Sequence, residues 1–172
     1  MTNTSLKERA NVLGNVVLGA NDGIVTTFAI IAGSTGAHLP SSVIVVLGFS
    51  KLFADAVSMG SGVYLSLRSQ VDYDKDLSKV HKGHSLAIHG VTTFIVFVFS
   101  GLIPLLPYLL NIDNKFTISA GLVFLELFII GGLRTMNTKR KWIIGALEML
   151  LVGGVTAIVA YFVGYLAEYY LV

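Results

Sequence analysis

The sequence predicts an all-α, polytopic membrane protein of five transmembrane helices in a single domain, residues 1–172, and three observations carry that reading. Apolar residues make up 54% of the chain and charged residues only 13%, where a water-soluble domain carries about 25% charged residues. The apolar residues gather into five segments, each long enough to supply the roughly 20 helical residues that a bilayer core of about 30 Å demands. Ten of the twelve Lys and Arg fall before the first segment, between the second and third, or between the fourth and fifth. By the positive-inside rule this alternation places the N-terminus and the loops at about 69–85 and 134–141 in the cytosol, and the C-terminus outside.

Taken in order, the first 11 or so residues are polar, and Ser5-Leu6-Lys7-Glu8 fits a capping box. Leu6, Ala10, Leu13 and Val17 then recur at helical spacing, so a short amphipathic helix is expected to lie on the membrane before the chain bends into it. No small-residue cleavage site follows a short apolar core, so no removable signal peptide is expected. The first span runs from about 12 to 36. Its Gly19 and Gly23 form a small-xxx-small pair that lets a neighbouring helix approach closely. Ser41 or Ser42 can cap the second span, about 42–68, on which Ala54, Ser58 and Gly62 make a second small-residue stripe read as a packing surface.

The third span, about 86–110, ends in Pro104 and Pro107, which should kink or unravel its last turns. The fourth, about 116–133, and the fifth, about 142–166, follow, with His38 and His89 read as interfacial.

Charges inside these spans locate the chemistry. A carboxylate in hydrocarbon costs roughly 2.5–3.5 kcal/mol on insertion scales, so it normally faces a partner, a cavity or an ion. Asp22 sits about ten residues, or ~15 Å, into its span, and Asp55 and Met59 fall at similar depth on the second. If the first two spans are antiparallel neighbours, as their short connection suggests, these three side chains can line one cavity near the midplane. Asn21 can add a carbonyl oxygen there or cross-link helices.

Two carboxylates and a thioether suit a borderline divalent ion such as Fe(II), with Mn(II), Co(II) and Zn(II) as alternatives, better than Ca(II) or Mg(II). Three side chains are too few for a full coordination shell. Water, backbone, or a second copy across a two-fold axis can complete it.

Several other residues divide between a role and a bland explanation. Asp55 either meets a metal or proton directly or pairs with Lys51, one turn away on the same helix. Glu126, Glu148 and Lys51 are candidate proton carriers or supporting groups, the two glutamates against simple pairing with Arg134 or a hydroxyl. His81 and His84, amid three aspartates, can gather metal weakly or belong to a solvated loop. A net charge of +2 does not suggest nucleic acid, and the lack of Cys excludes thiolate ligands and thiol catalysis.

The residues LGANDGIVTTFAIIAG at 18–33, LFADAVSMGSGVYLS at 52–66, GLIPLLPYLL at 101–110 and GALEMLLVGGVTAIVAYFVG at 145–164 resemble the vacuolar iron transporter family and its nodulin-like relatives. The resemblance implies a five-span homodimer with its transport path at the subunit interface, exporting Fe(II), and in some members Mn(II), from the cytosol in exchange for protons. Within it Asp22 matches the translocation acid of the first helix and Met59 the metal-contacting methionine.

The chain also departs from the pattern. Iron-storing members insert a Glu-rich three-helix domain between the second and third spans, and this interval has no room for one. Some members carry an acid at Lys51, and many a Glu at Val63. The expectation is therefore a minimal divalent-metal transporter, with protons, metal ions, the bilayer and a second copy as partners and with no tightly bound cofactor. A passive metal channel or a non-transporting assembly module is the alternative. The acids read NDG and ADA rather than the YD and GxGD of intramembrane aspartyl proteases, so no enzymatic activity is expected. A prokaryotic inner membrane is the expected location, with an organellar, vacuolar membrane as the alternative.

Overall fold

A computed structural model of the chain describes the backbone at residues 3–73, 83–135 and 141–171, and side chains at 12–73, 86–135 and 141–170. Every regular element among the described residues is helical: α1 (Asn3–Gly36), α2 (Ser41–Tyr73), α3 (Gly83–Leu102), a 3₁₀ turn (Ile103–Leu105), α4 (Leu106–Leu109), α5 (Lys115–Thr135) and α6 (Trp142–Leu171). Five stretches are long and apolar enough to cross a bilayer: Val12–Gly36, Ser41–Tyr73, Leu86–Leu109, Lys115–Thr135 and Trp142–Tyr170. The chain is a multi-pass membrane protein.

The boundaries differ from the sequence reading where local bonding overrides composition. The expected surface helix followed by a bend is absent, and α1 runs uninterrupted from Asn3 to Gly36. No proline breaks its ladder and Gly14 alone does not kink it. Ser41 does not cap α2: the Pro40 carbonyl accepts the first bonds from the Val43 and Ile44 amides, and the Ser41 hydroxyl instead accepts from Lys115 Nζ at 3.3 Å. Residues 69–73, read as loop, continue α2, because Ser69 Oγ bonds the Leu65 carbonyl at 2.9 Å and Arg68 pairs with Asp72 one turn on at 3.2 Å. Arg134 and Thr135 likewise belong to α5, and α6 continues past residue 166 to Leu171.

The proline expectation holds. α3 gives way to the 3₁₀ turn and then to α4, with Pro104 and Pro107 both buried. Proline cannot donate to the carbonyl one turn earlier, which leaves acceptors unmatched in an apolar setting. One acceptor at the break, the Pro104 carbonyl, is met from a neighbouring helix by the buried Ser119 Oγ on α5, at 2.7 Å.

α1 is the central helix. It packs chiefly against α3 on one side and α6 on the other, with α5 beyond, while α2 leans mainly on α3 and touches α1 less. The core gathers Ile24, Phe28, Ile31, Leu52, Phe97 and Leu127 from these helices. The close approach expected at Gly19 and Gly23 is present and its partner is α3: a Cβ added at Gly23 would stand 2.5 Å from the Phe97 carbonyl oxygen. The second stripe makes no contact within the protomer. Ala54, Ser58 and Gly62 are exposed within the protomer, and α2 instead buries Ile44, Gly48, Leu52, Ala56 and Gly60. Gly60 meets Gly90 of α3, where a Cβ on either would come within 3 Å of the other's carbonyl oxygen.

At the end of the bundle opposite the α2–α3 connection, α1 closes in a Schellman turn with His38 at φ 49°. His38 Nδ1 contacts Glu168 Oε2 of α6, side chains 66% and 36% exposed. Solvated pairs of this kind contribute little. Glu168→Ala is therefore expected to cost less than about 1 kcal/mol, read as a shift of only a few degrees in detergent thermal unfolding.

Candidate metal path

α3 packs on both α1 and α2, and the groove between those two helices stays open as a cavity of about 640 Å³. Asp22, Asp55 and Met59 all line it. The helical period explains the meeting: Asp55 and Met59 are one turn apart on α2, and Ser66 and Gln70 continue their face at seven and eleven residues beyond Met59. On α1, Asn15 lies seven residues before Asp22 on the same face. Asn15, Ser58, Ser66 and Gln70 line the cavity too, so a row of amides and hydroxyls runs from the midspan acid toward the end where α1 begins and α2 finishes. Asn15, Ser66 and Gln70 are absent from the sequence reading, although their helical spacing from Asp22 and Met59 marks them, and Ser58 is read there only as part of a small-residue stripe.

Around this row the packing is specific. Asn15 Nδ2 lies 3.3 Å from Nδ1 of His89, which is 3% exposed. His89 is thus buried against α1 beside the cavity and not exposed at the bundle surface. Its place near the start of the span hid that it faces α1. Thr26 Oγ1 donates to the Asp22 backbone carbonyl at 2.5 Å, which leaves the carboxylate to the groove. Asp55 pairs with Lys51, Oδ2 to Nζ 2.6 Å, and it also lines the cavity.

The other candidates are scattered. Asn21 turns away from its neighbour into a second cavity of about 1140 Å³ between α1 and α6, with Glu148 and Arg134 at its edge and Met149, Val152 and Val155 along it. Its Oδ1 is buried with no hydrogen-bond partner. Glu148 pairs with Arg134 at 2.8 Å. Glu126 lines neither cavity, and its Oε2 is buried with no hydrogen-bond partner. His81 lies outside the described residues, and at His84 only the backbone is described, as part of α3. Among the described residues no three His, Asp or Glu side chains cluster as a self-sufficient metal site. What the first cavity offers is two carboxylates and a thioether on a polar wall.

Comparison with known proteins gives an independent line. A family model described as "VIT family" matches residues 13–85 and 74–165. A vacuolar iron transporter from Plasmodium berghei (strain Anka) is 26% identical over 91% of this chain and 82% of its own length. Vacuolar iron transporter 1 from Oryza sativa subsp. japonica is 22% identical over 87% and 83%. A vacuolar iron transporter from Centaurea cyanus is 27% identical over 86% and 84%. The alignment with the Plasmodium protein spans 224 positions, more than the 172 residues of this chain, so that relative carries residues with no counterpart here. The two pieces of the family match meet at 74–85, within and beside the short interval between α2 and α3.

Proposed function

Because the chain belongs to the VIT family, we propose that it moves Fe(II), with Mn(II) as a second substrate, out of the cytosol in exchange for protons. The convergence of Asp22, Asp55 and Met59 on one groove-like cavity carries this reading. Relatives named as iron transporters support the choice of cargo.

The chemistry follows from the donor set. Carboxylate oxygen and thioether sulfur together favour a borderline ion, whereas the hard ions Ca(II) and Mg(II) gain nothing from sulfur. The polar row from Gln70 to Asn15 gives a hydrated ion partners as it approaches, and Met59 and the carboxylates replace part of its water at midspan. A carboxylate holds either a proton or a metal ion on the same oxygens, so each ion loaded displaces protons and each proton returned displaces the ion. That competition is the minimum an exchanger needs. A second copy placed with its α1–α2 groove against this one doubles the donor set and closes the groove to lipid. The outward-facing Ala54, Ser58 and Gly62 are small enough for that approach.

Purified protein in proteoliposomes, loaded with a pH-sensitive dye and an Fe(II) indicator, tests both halves. Exchange gives Fe(II) uptake coupled to proton movement in the opposite direction. Fe(II) flux without proton movement supports a passive channel instead, and no flux removes transport. Met59→Leu keeps the volume but removes the sulfur. It is expected to raise the KM for Fe(II) by about tenfold while leaving any residual flux of Mg(II) unchanged.

A further inference from the structure

Lys51 lies one turn before Asp55 on α2 and reaches its carboxylate from the bundle side. Its Nζ is 2.6 Å from Asp55 Oδ2 and 5.6 Å from the centroid of the Phe97 ring, a core residue of α3. Side-chain exposure divides the pair the same way, 22% for Lys51 and 42% for Asp55. Asp55 and Asp22 line the metal cavity and Lys51 does not. The ammonium is buried and makes no hydrogen bond of good geometry, so proximity to the carboxylate and the ring face balances its charge. Asp55 therefore stands between a fixed cation behind it and the open cavity in front.

We infer that Lys51 is a tethered counter-cation that competes with the transported ion for Asp55, and so sets how tightly the ion is held and how fast it leaves. The inference rests on the transport reading above and adds a specificity-determining residue to it. An amine bound to α2 cannot diffuse away, so an arriving divalent ion shares Asp55 with it or pushes it back. Two cations on one carboxylate repel, and each weakens the other's hold. The Phe97 ring gives the displaced ammonium a seat that does not leave it bare in the apolar interior. With two carboxylates and one ammonium the empty constellation carries a net charge near −1, and with a divalent ion near +1. Without Lys51 the loaded constellation is neutral and retains its ion. The lysine thus trades affinity for release, a trade that a transporter benefits from and a storage site does not.

The test uses Lys51→Met, which keeps the length and removes the charge, beside Lys51→Arg, which keeps the charge. Mn(II) is the probe, titrated by electron paramagnetic resonance into detergent-purified protein, and Fe(II) uptake is followed in proteoliposomes. Lys51→Met is expected to lower the Kd for Mn(II) by about tenfold and to lower the KM and maximal rate of uptake together, while Lys51→Arg stays near wild type. In an Asp55→Asn background Lys51→Met should have no further effect on Kd, because the lysine acts through that carboxylate. An unchanged or raised Kd in Lys51→Met, with wild-type elution and melting, overturns the inference. Lys51→Gln supplies the same comparison if methionine is not accepted in folding. Asp22→Asn separates the two readings: Mn(II) binding that survives it refutes the transport site itself. Binding lost in Asp22→Asn but unmoved by Lys51→Met refutes only the role of the lysine.

Discussion

Asp22→Asn is expected to suppress Fe(II) uptake by at least about 100-fold while the protein still inserts, folds and elutes as wild type. Supporting groups around a metal typically account for 10–100-fold of affinity, and a group that meets the ion directly accounts for more. Asparagine matches aspartate in size and keeps a carbonyl oxygen, so the loss isolates charge from shape. The fold has little reason to object: the Asp22 backbone carbonyl still accepts from Thr26, and Gly23 still meets α3. Removing a charge from an apolar span also relieves a cost of burial, so melting should stay level or rise. Uptake within a few-fold of wild type would place the ion path elsewhere. Asp55→Asn should be milder, since Lys51 already neutralises that acid in the empty state.

Gly164→Leu is expected to destabilise the bundle by about 3 kcal/mol or more, the upper end for overpacking, and to eliminate monodisperse protein in detergent. Gly164 of α6 lies directly on the Gly33 backbone of α1, and Gly36 lies on the Tyr161 carbonyl one turn away. The obstacle is backbone on both sides, so no side chain can turn aside. In a bilayer, contact at this range substitutes for the hydrophobic drive that lipid removes. Gly121→Ala is the control. A Cβ there meets nothing within 4 Å, and exchanging glycine for alanine in a helix should stabilise by roughly 0.5–1 kcal/mol. Equal melting temperatures for the two variants would contradict the packing of α1 on α6.

How far the site was legible before the fold can be traced residue by residue. Asp22, Asp55 and Met59 could be placed at one depth from helical rise alone, and the cavity holds all three. Asn21 could not be separated from Asp22, because adjacent residues on a helix point about 100° apart and only the neighbours decide which direction is groove and which is α6. Spacing could propose the Lys51–Asp55 pair. The aromatic seat behind it depends on Phe97, far along the chain on another helix. His89 could be placed near the start of a span, while its burial against Asn15 depends on the packing of α3 on α1.

The sequence by itself determined that this chain crosses a membrane five times, where the spans lie, and that acids and a thioether sit deep within two of them. Each of these depends only on the cost of moving side chains and backbone from water into lipid. Only the tertiary structure decided which face of each helix is inside, which small-residue stripe is a contact, and which acids share a cavity. The reason is that lipid and protein interior are equally apolar. Hydropathy marks depth along a transmembrane helix but not direction around it, and direction comes from which backbones fit together.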